Sequence, residues 1–336
     1  MSKFTRILSI DGGGIRGIIP AKVLAVVEQK LQEKTRNKNA RIADFFDLIS
    51  GTSTGGLLTC IYLCPDLDGS RDRPRYSAEE ALRLYMDKGD KIFDLTLWQR
   101  IRSKGGWRDE KYSADAFEEM LEDYFGDLRL SDLLKPCLIT AYDIKRKSTM
   151  FFTQHDARKM DKRDFLIRDV VRATSAAPTY FEAAKIKSLT DVSFPLIDGG
   201  VFANNPAMCA FTEVGRKFKR RLGTNKIVLL SLGTGLLKKP CNYNKVKNWG
   251  AVQWIKPLID IMMSGVSETV DYQLNQLFVA ADKPDRYLRI NSELLFANME
   301  MDNASGENLL ALEQEGTRIT TEYNDRLDNF LRLLLS

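Results

Sequence analysis

The sequence predicts an α/β protein of three layers, with a central, mainly parallel sheet held between helices. Short apolar runs alternate with stretches of helical periodicity, the pattern of strands joined by crossover helices. Three of those runs end in glycine-rich turns, and in such sheets the functional crevice lies at the carboxyl ends of the strands. The 336 residues are 44% apolar and 28% charged, which suits a soluble globular chain and excludes collagen-like, low-complexity and wholly disordered classes. The length suits one domain over residues 1–336, with a motif core at about 5–235 and a helical part at about 245–336.

Residues 4–10 read as a buried strand ending in Asp11 and three glycines. Pro20 opens a helix with Leu24, Val27 and Leu31 on one face. Residues 45–49 form a second strand, 51–55 a tight turn, and 56–63 a buried helix. Charged residues 66–76 are a loop. Helices follow at 77–90 and 113–125, then strands at 137–142 and 150–153 around the turn 145–147. A helix at 164–174 precedes a strand at 194–197. A helix at 207–221 precedes the clearest strand, 227–232. The rest is largely helical, with a strand at 287–290.

Several classes are excluded or disfavoured. Fifty basic and 45 acidic side chains leave a net charge of +5, short of a dedicated nucleic-acid binder. Five cysteines without a CxxC pair, and His155 as the single imidazole, argue against a disulfide scaffold and a Cys/His zinc site. Cys60 and Cys64 read as buried thiols on one helix face. The N-terminus carries Lys3, Arg6 and Asp11 and no apolar leader. Residues 48–65 are uncharged, but their glycines and hydroxyls read as strand, turn and helix and not as a membrane span. A cytoplasmic protein is expected, peripheral to the membrane when acting.

Three motifs hold the chemistry. The run Asp11-Gly12-Gly13-Gly14-Ile15-Arg16-Gly17 contains GxGxxG between a strand and a helix. It fits a dinucleotide or kinase phosphate loop, although Asp11 beside a pyrophosphate and the lack of an acid on a second strand count against that. Physically it offers bare backbone amides, which bind a transient oxyanion as well as a phosphate. Gly51-Thr52-Ser53-Thr54-Gly55 is a GxSxG turn between strand and helix, either a nucleophile elbow or a small-residue turn with Ser53 as N-cap. Asp198-Gly199-Gly200 follows an apolar strand, either as a carboxylate freed for close approach or as an Asp-Gly turn. His155 sits in the polar stretch 153–156, which reads as a solvated loop, so a direct serine–carboxylate dyad is favoured over a triad.

Taken in order, DGGGIRG at 11–17, GTSTG at 51–55 and DGG at 198–200 resemble the patatin-like phospholipase family, including its bacterial lipid acyl hydrolases. ATSAAPTYF at 173–181 and SLGTG at 231–235 resemble it too. The resemblance implies a dyad of Ser53 as nucleophile and Asp198 as proton acceptor, with an oxyanion hole from Gly12, Gly13 and Gly14. Gly51, Gly55, Gly199 and Gly200 support it. Arg16 reads as a tie for the glycine loop or a contact for an anionic head group. Asn204 and Asn205 shape the turn after Asp198.

The expected activity is phospholipase A or lysophospholipase cleavage of glycerophospholipid acyl esters, with no cofactor and no metal. The partners are phospholipid or lysophospholipid, transient membrane-surface contact, and no nucleic acid. A family member acts as a nucleotide-activated antiphage effector, but no residue here identifies a pocket for a small-molecule activator. A nucleotide-phosphate-binding kinase or dehydrogenase and a catalytically silent scaffold stay open. The basic clusters 71–75, 145–147, 216–221 and 238–239 read as solvated faces that suit anionic membranes. The apolar segments 93–101 and 254–266, with Trp98, Trp254, Met262 and Met263, read first as core helix and second as acyl-pocket or bilayer contacts.

Overall fold

A computed structural model describes residues 4–93, 111–218, 223–236 and 242–336. Trp98, Cys241 and the lysines at 238–239 lie outside these residues. The described strands are β1 (Thr5–Ile10), β2 (Leu48–Gly51), β3 (Cys137–Asp143), β4 (Ser148–Phe152), β5 (Ala184–Lys187), β6 (Ser193–Asp198), β7 (Ile227–Leu232) and β8 (Tyr287–Ile290). They form one sheet in the order β5-β6-β3-β2-β1-β7-β8, with β4 on β3. The run β3-β2-β1-β7-β8 is parallel throughout, while β4 and β6 pair antiparallel with β3 and β5 pairs antiparallel with β6.

The longer helices are α1 (Ile18–Thr35), α2 (Thr54–Leu63), α3 (Ala78–Phe93), α4 (Lys111–Phe125), α5 (Ile167–Thr174), α6 (Ala207–Phe218), α7 (Ala251–Ala280), α8 (Gly306–Glu322) and α9 (Asn324–Leu334). Successive side chains of a strand point to opposite faces, so a strand covered on both faces splits its apolar residues between two cores. Leu8, Ile49, Val228 and Leu230 join the larger core with α1, α2, α3 and α8. Their neighbours Ile7, Leu48, Ile227 and Leu229 join a smaller core with Ala207, Phe211, Leu274 and Phe278 of α6 and α7. That division is the three-layer sandwich.

Some boundaries differ from the sequence expectation. Phe45 closes a helical turn, Ile42–Phe45, and the strand starts only at Leu48. α2 begins at Thr54, two residues early, and every residue of it is buried. The short edge strand β5 was not expected at all. No helix among the described residues is long and apolar enough to cross a membrane.

Candidate active site

Sheet register brings the second and third motifs together. β2 pairs with β3 up to Gly51 opposite Ile139, and β6 pairs with β3 up to Asp198 opposite Ala141. β4 occupies the other edge of β3 over 139–143. β2 and β6 therefore lie on the same edge, run toward each other, and end two β3 residues apart. Only Thr140 separates their levels.

Ser53 follows β2 by two residues and caps α2 with φ 55° and ψ −122°. A non-glycine residue there costs ~1–3 kcal/mol and persists only where its surroundings hold it. The hold is visible: the Ser53 amide donates to Thr174 Oγ1 at 2.9 Å, and Thr174 Oγ1 donates to the Thr140 carbonyl at 2.7 Å. The sharp turn also needs its glycines. A Cβ at Gly51 would strike the Gly55 carbonyl, and one at Gly55 the Ile10 carbonyl. Standing at the N-terminus of α2 places Ser53 where the helix dipole favours negative charge.

Asp198 ends β6, and its amide donates to the Ala176 carbonyl at 2.9 Å. The segment Thr174–Ala176 thus anchors both motifs. Gly199 lies so close to Thr140 that a Cβ would collide with its side chain, and the Gly200 amide donates to Asp198 Oδ1 at 2.7 Å. The turn continues into the helical turn Gly200–Ala203, not into a hairpin. Asp198 is 2% exposed and Ser53 7%. Burial pushes the Asp198 carboxyl up to about 7, against the opposing pull of the Gly200 amide and the Ser53 hydroxyl. Oδ2 is buried and accepts no well-formed hydrogen bond. Hydroxyl and carboxyl therefore lie side by side with the bond between them not fully closed, a looseness common in ligand-free sites.

The glycine run closes the third side. Gly12 packs on Ser53, where a Cβ would come within 3.3 Å of the serine Cβ. Its amide donates to the Asn204 carbonyl at 3.0 Å. The Gly12 amide is therefore engaged, which leaves Gly13 and Gly14 as the candidate donors. Among the described residues the amides of Gly13 and Gly14 have no such acceptor. Gly13 lies against Thr234 and Gly14, at φ 59°, against Met301. Arg16 Nε donates to the Gly13 carbonyl at 3.3 Å, the loop tie, and its Nη1 is buried without a partner. Burial lowers its pKa to about 10, with Asp260 and Tyr180 opposing.

Two clefts meet here. An apolar one of about 350 Å³ has Asp198 in its wall with Pro178, Tyr180, Val201, Ile259 and Met263. A polar one of about 540 Å³ is lined by Arg16, Asn204, Asp260, Ser267 and Asn291, and the two share Met263 and Met301.

Residues 8–211 match the family model for patatin-like phospholipases. The chain belongs to the patatin-like phospholipase family. Members of this family are lipid acyl hydrolases acting on ester bonds. It is 34% identical to patatin-like protein 1 of Oryza sativa subsp. indica, over 96% of this chain and 82% of that protein. It is 32% identical to patatin-2-Kuras 3 of Solanum tuberosum, over 99% of this chain and 90% of the relative. It is also 32% identical, over 95% of this chain and 87% of the relative, to a potato protein named probable inactive patatin-3-Kuras 1. Membership alone therefore does not decide activity, and the site geometry has to.

In this patatin-like chain His155 is not in a solvated loop. It is buried in the helical turn Gln154–Ala157, with Nε2 2.6 Å from Glu213 Oε1 on α6. Burial opposes ionisation of Glu213, but hydrogen bonds from His155 and Arg216 hold its carboxyl below the usual range. Among the described residues no hydrogen bond links His155 to Ser53. The basic clusters are partly paired, Arg73 with Asp44, Arg146 with Asp143 and Arg216 with Asp156. Cys60 and Cys64 are buried free thiols. No metal-holding group of acids, histidines and cysteines occurs among the described residues.

Sequence reasoning missed three supports. Thr52 Oγ1 shares a hydrogen bond with Thr140 Oγ1 at 2.8 Å and donates to the Ala203 carbonyl at 2.6 Å, fastening the elbow to the turn after Asp198. Thr174 is the second; it stands in the family stretch 173–181, which was its only signal. The third is Arg289 on β8, which grips Asp11 through both guanidinium nitrogens at 2.8 and 2.5 Å. Burial alone would lower the Arg289 pKa, but the Asp11 carboxylate raises it; burial pushes the Asp11 carboxyl up, with Arg289 and Ser267 opposing, so the two hold each other beneath the glycine loop.

Proposed function

We propose that this chain is a serine acyl hydrolase of phospholipase A or lysophospholipase type, acting on acyl esters of glycerophospholipids through Ser53 and Asp198. Asp198 takes the Ser53 proton as Oγ attacks the ester carbonyl. The carbonyl oxygen becomes an oxyanion facing the Gly13 and Gly14 amides, donors that are each worth ~100–1,000-fold in rate in comparable hydrolases. Asp198 then gives its proton to the leaving alcohol, which departs as the acyl–serine ester remains. Water enters by the same route, giving its proton to Asp198, and the fatty acid leaves as Ser53 recovers its hydrogen.

The observation that carries this reading is the buried Asp198 carboxyl beside Ser53, with one oxygen unclaimed and a pKa of about 7. An ordinary aspartate at ~3.9 is a weak base at neutral pH. One poised near neutrality meets the requirement for proton transfer without an imidazole. The apolar cleft suits the acyl chain, and the polar cleft around Arg16 suits the glycerol and head group.

A fluorophosphonate probe tests the assignment. Covalent labelling that disappears in Ser53→Ala, together with fatty-acid release from a lipid panel that also disappears, supports it. Labelling or release that persists in Ser53→Ala rejects Ser53 as nucleophile. An unlabelled wild type with an intact fold favours the silent-scaffold alternative.

A further inference from the structure

We propose that the first half of α7 is a docking face for an anionic lipid bilayer, which seats the mouth of the apolar cleft on the membrane; this rests on the lipid-hydrolase reading above. Trp254, Leu258, Ile261 and Met262 stand at i, i+4, i+7 and i+8, one stripe of the helix. Leu258 is 49% exposed, Ile261 53% and Met262 42%, a run of apolar surface that needs a partner. Ile259 and Met263, around the same helix, line the apolar cleft beside Asp198, and Met262 belongs to both the stripe and the cleft. The exposed stripe is therefore continuous with the wall of the site. The side that packs inward carries Ser267, Leu274 and Phe278, all buried. At the upstream end Trp249 meets Trp254 edge to face at 5.2 Å, and tryptophan is favoured at a membrane interface.

Charge selects the occupant. Residues 242–259 contain three lysines, Lys245, Lys247 and Lys256, and the first acid after them, Asp260, lines the polar cleft with Arg16. Lys247 is exposed. Apolar side chains near an exposed lysine, with the nearest acid of the helix lining the polar cleft, match an anionic leaflet.

The test uses the full chain in a Ser53→Ala background, so that vesicles are not consumed. It is sedimented with phosphatidylglycerol–phosphatidylcholine vesicles and with phosphatidylcholine alone. Preferential binding to the anionic vesicles is expected, weakening as salt rises from about 0.1 to about 0.5 M. Leu258→Asp with Ile261→Asp lowers that binding at least ~10-fold. In the Ser53 parent the same pair leaves turnover of a soluble short-chain ester unchanged, and this turnover also reports that the variant folds. Ile261→Ser alone gives a smaller loss of vesicle binding and serves if the double variant does not fold. Absence of vesicle binding, or binding that neither variant changes, overturns the docking face. So does a dimer that the double variant dissolves while vesicle binding persists. Turnover that survives Ser53→Ala rejects the dyad while leaving the sedimentation result to judge the docking face.

Discussion

Replacing Asp198 with asparagine separates the physical basis of the candidate base from its chemistry. The side chain is 2% exposed, and burial moves its pKa from 3.8 to about 7. The unfolded chain releases this proton near 3.8, while the folded chain keeps it until about 7. Between those values the folded state holds one more proton, so rising pH removes stability at ~1.4 kcal/mol per pH unit. The stabilisation is complete below about pH 4 and lost above about pH 7, about 4 kcal/mol over the whole window. Asp198→Asn keeps the shape and discards the ionisation. Urea unfolding of both proteins at about pH 5 and about pH 8 should show the asparagine protein gaining on the parent by about 3 kcal/mol. The variant should also have lost ester turnover. A stability difference that does not change with pH would refute the claim that burial raises this carboxyl, and with it the argument that Asp198 can serve as a neutral-pH base.

Four further outcomes follow from the geometry. For a soluble ester, kcat/KM should rise about tenfold per pH unit below about pH 7 and level off above it, a one-proton limb read from initial rates. Ser53→Gly should abolish turnover yet raise stability by about 1 kcal/mol in thermal unfolding, because glycine relieves the φ 55° backbone; Ser53→Ala, which keeps the strain, should not. Arg289→Met should cost about 3–5 kcal/mol in urea unfolding by leaving the Asp11 carboxylate buried and unpaired, and pairing it with Asp11→Asn should restore most of that. Gly13→Ala pushes a methyl into Thr234 and shifts a candidate oxyanion donor, so kcat should fall ~100–1,000-fold while probe labelling slows in parallel.

The local signals in the sequence were strong where the chain turns sharply. Glycines at 12–14, 51, 55, 199 and 200 mark places of close approach, backbone to backbone at Gly51 and Gly55 and backbone to side chain at Gly12, Gly13 and Gly200. The strands at 227–232 and 287–290 were legible in full because both are short and mainly apolar with turns at their ends. What could not be read were partnerships made across the fold. Arg289 meets Asp11 over 278 residues, and Thr174 meets Ser53 over 121; neither has a local pattern. The loss of the Gly12 amide to Asn204 depends on a main-chain carbonyl, which no side-chain motif reports. His155 looked solvated because its neighbours are polar, yet those neighbours include the partners that bury it: Asp156 holds Arg216, which also binds Glu213. The first half of α7 reads as core before acyl-pocket or bilayer contact for the opposite reason, since apolar composition does not say which face tertiary packing covers.

The meeting of β2 and β6 along one edge of β3 makes a single strand the ruler for the distance between hydroxyl and carboxyl. Both tips are indexed to it, one at Ile139 and the other at Ala141. Adding or deleting one residue in that interval would displace one tip by ~3.3 Å relative to the other and reverse the sides to which the following side chains point. Loops elsewhere can lengthen without disturbing the gap, but this three-residue stretch has to keep its count.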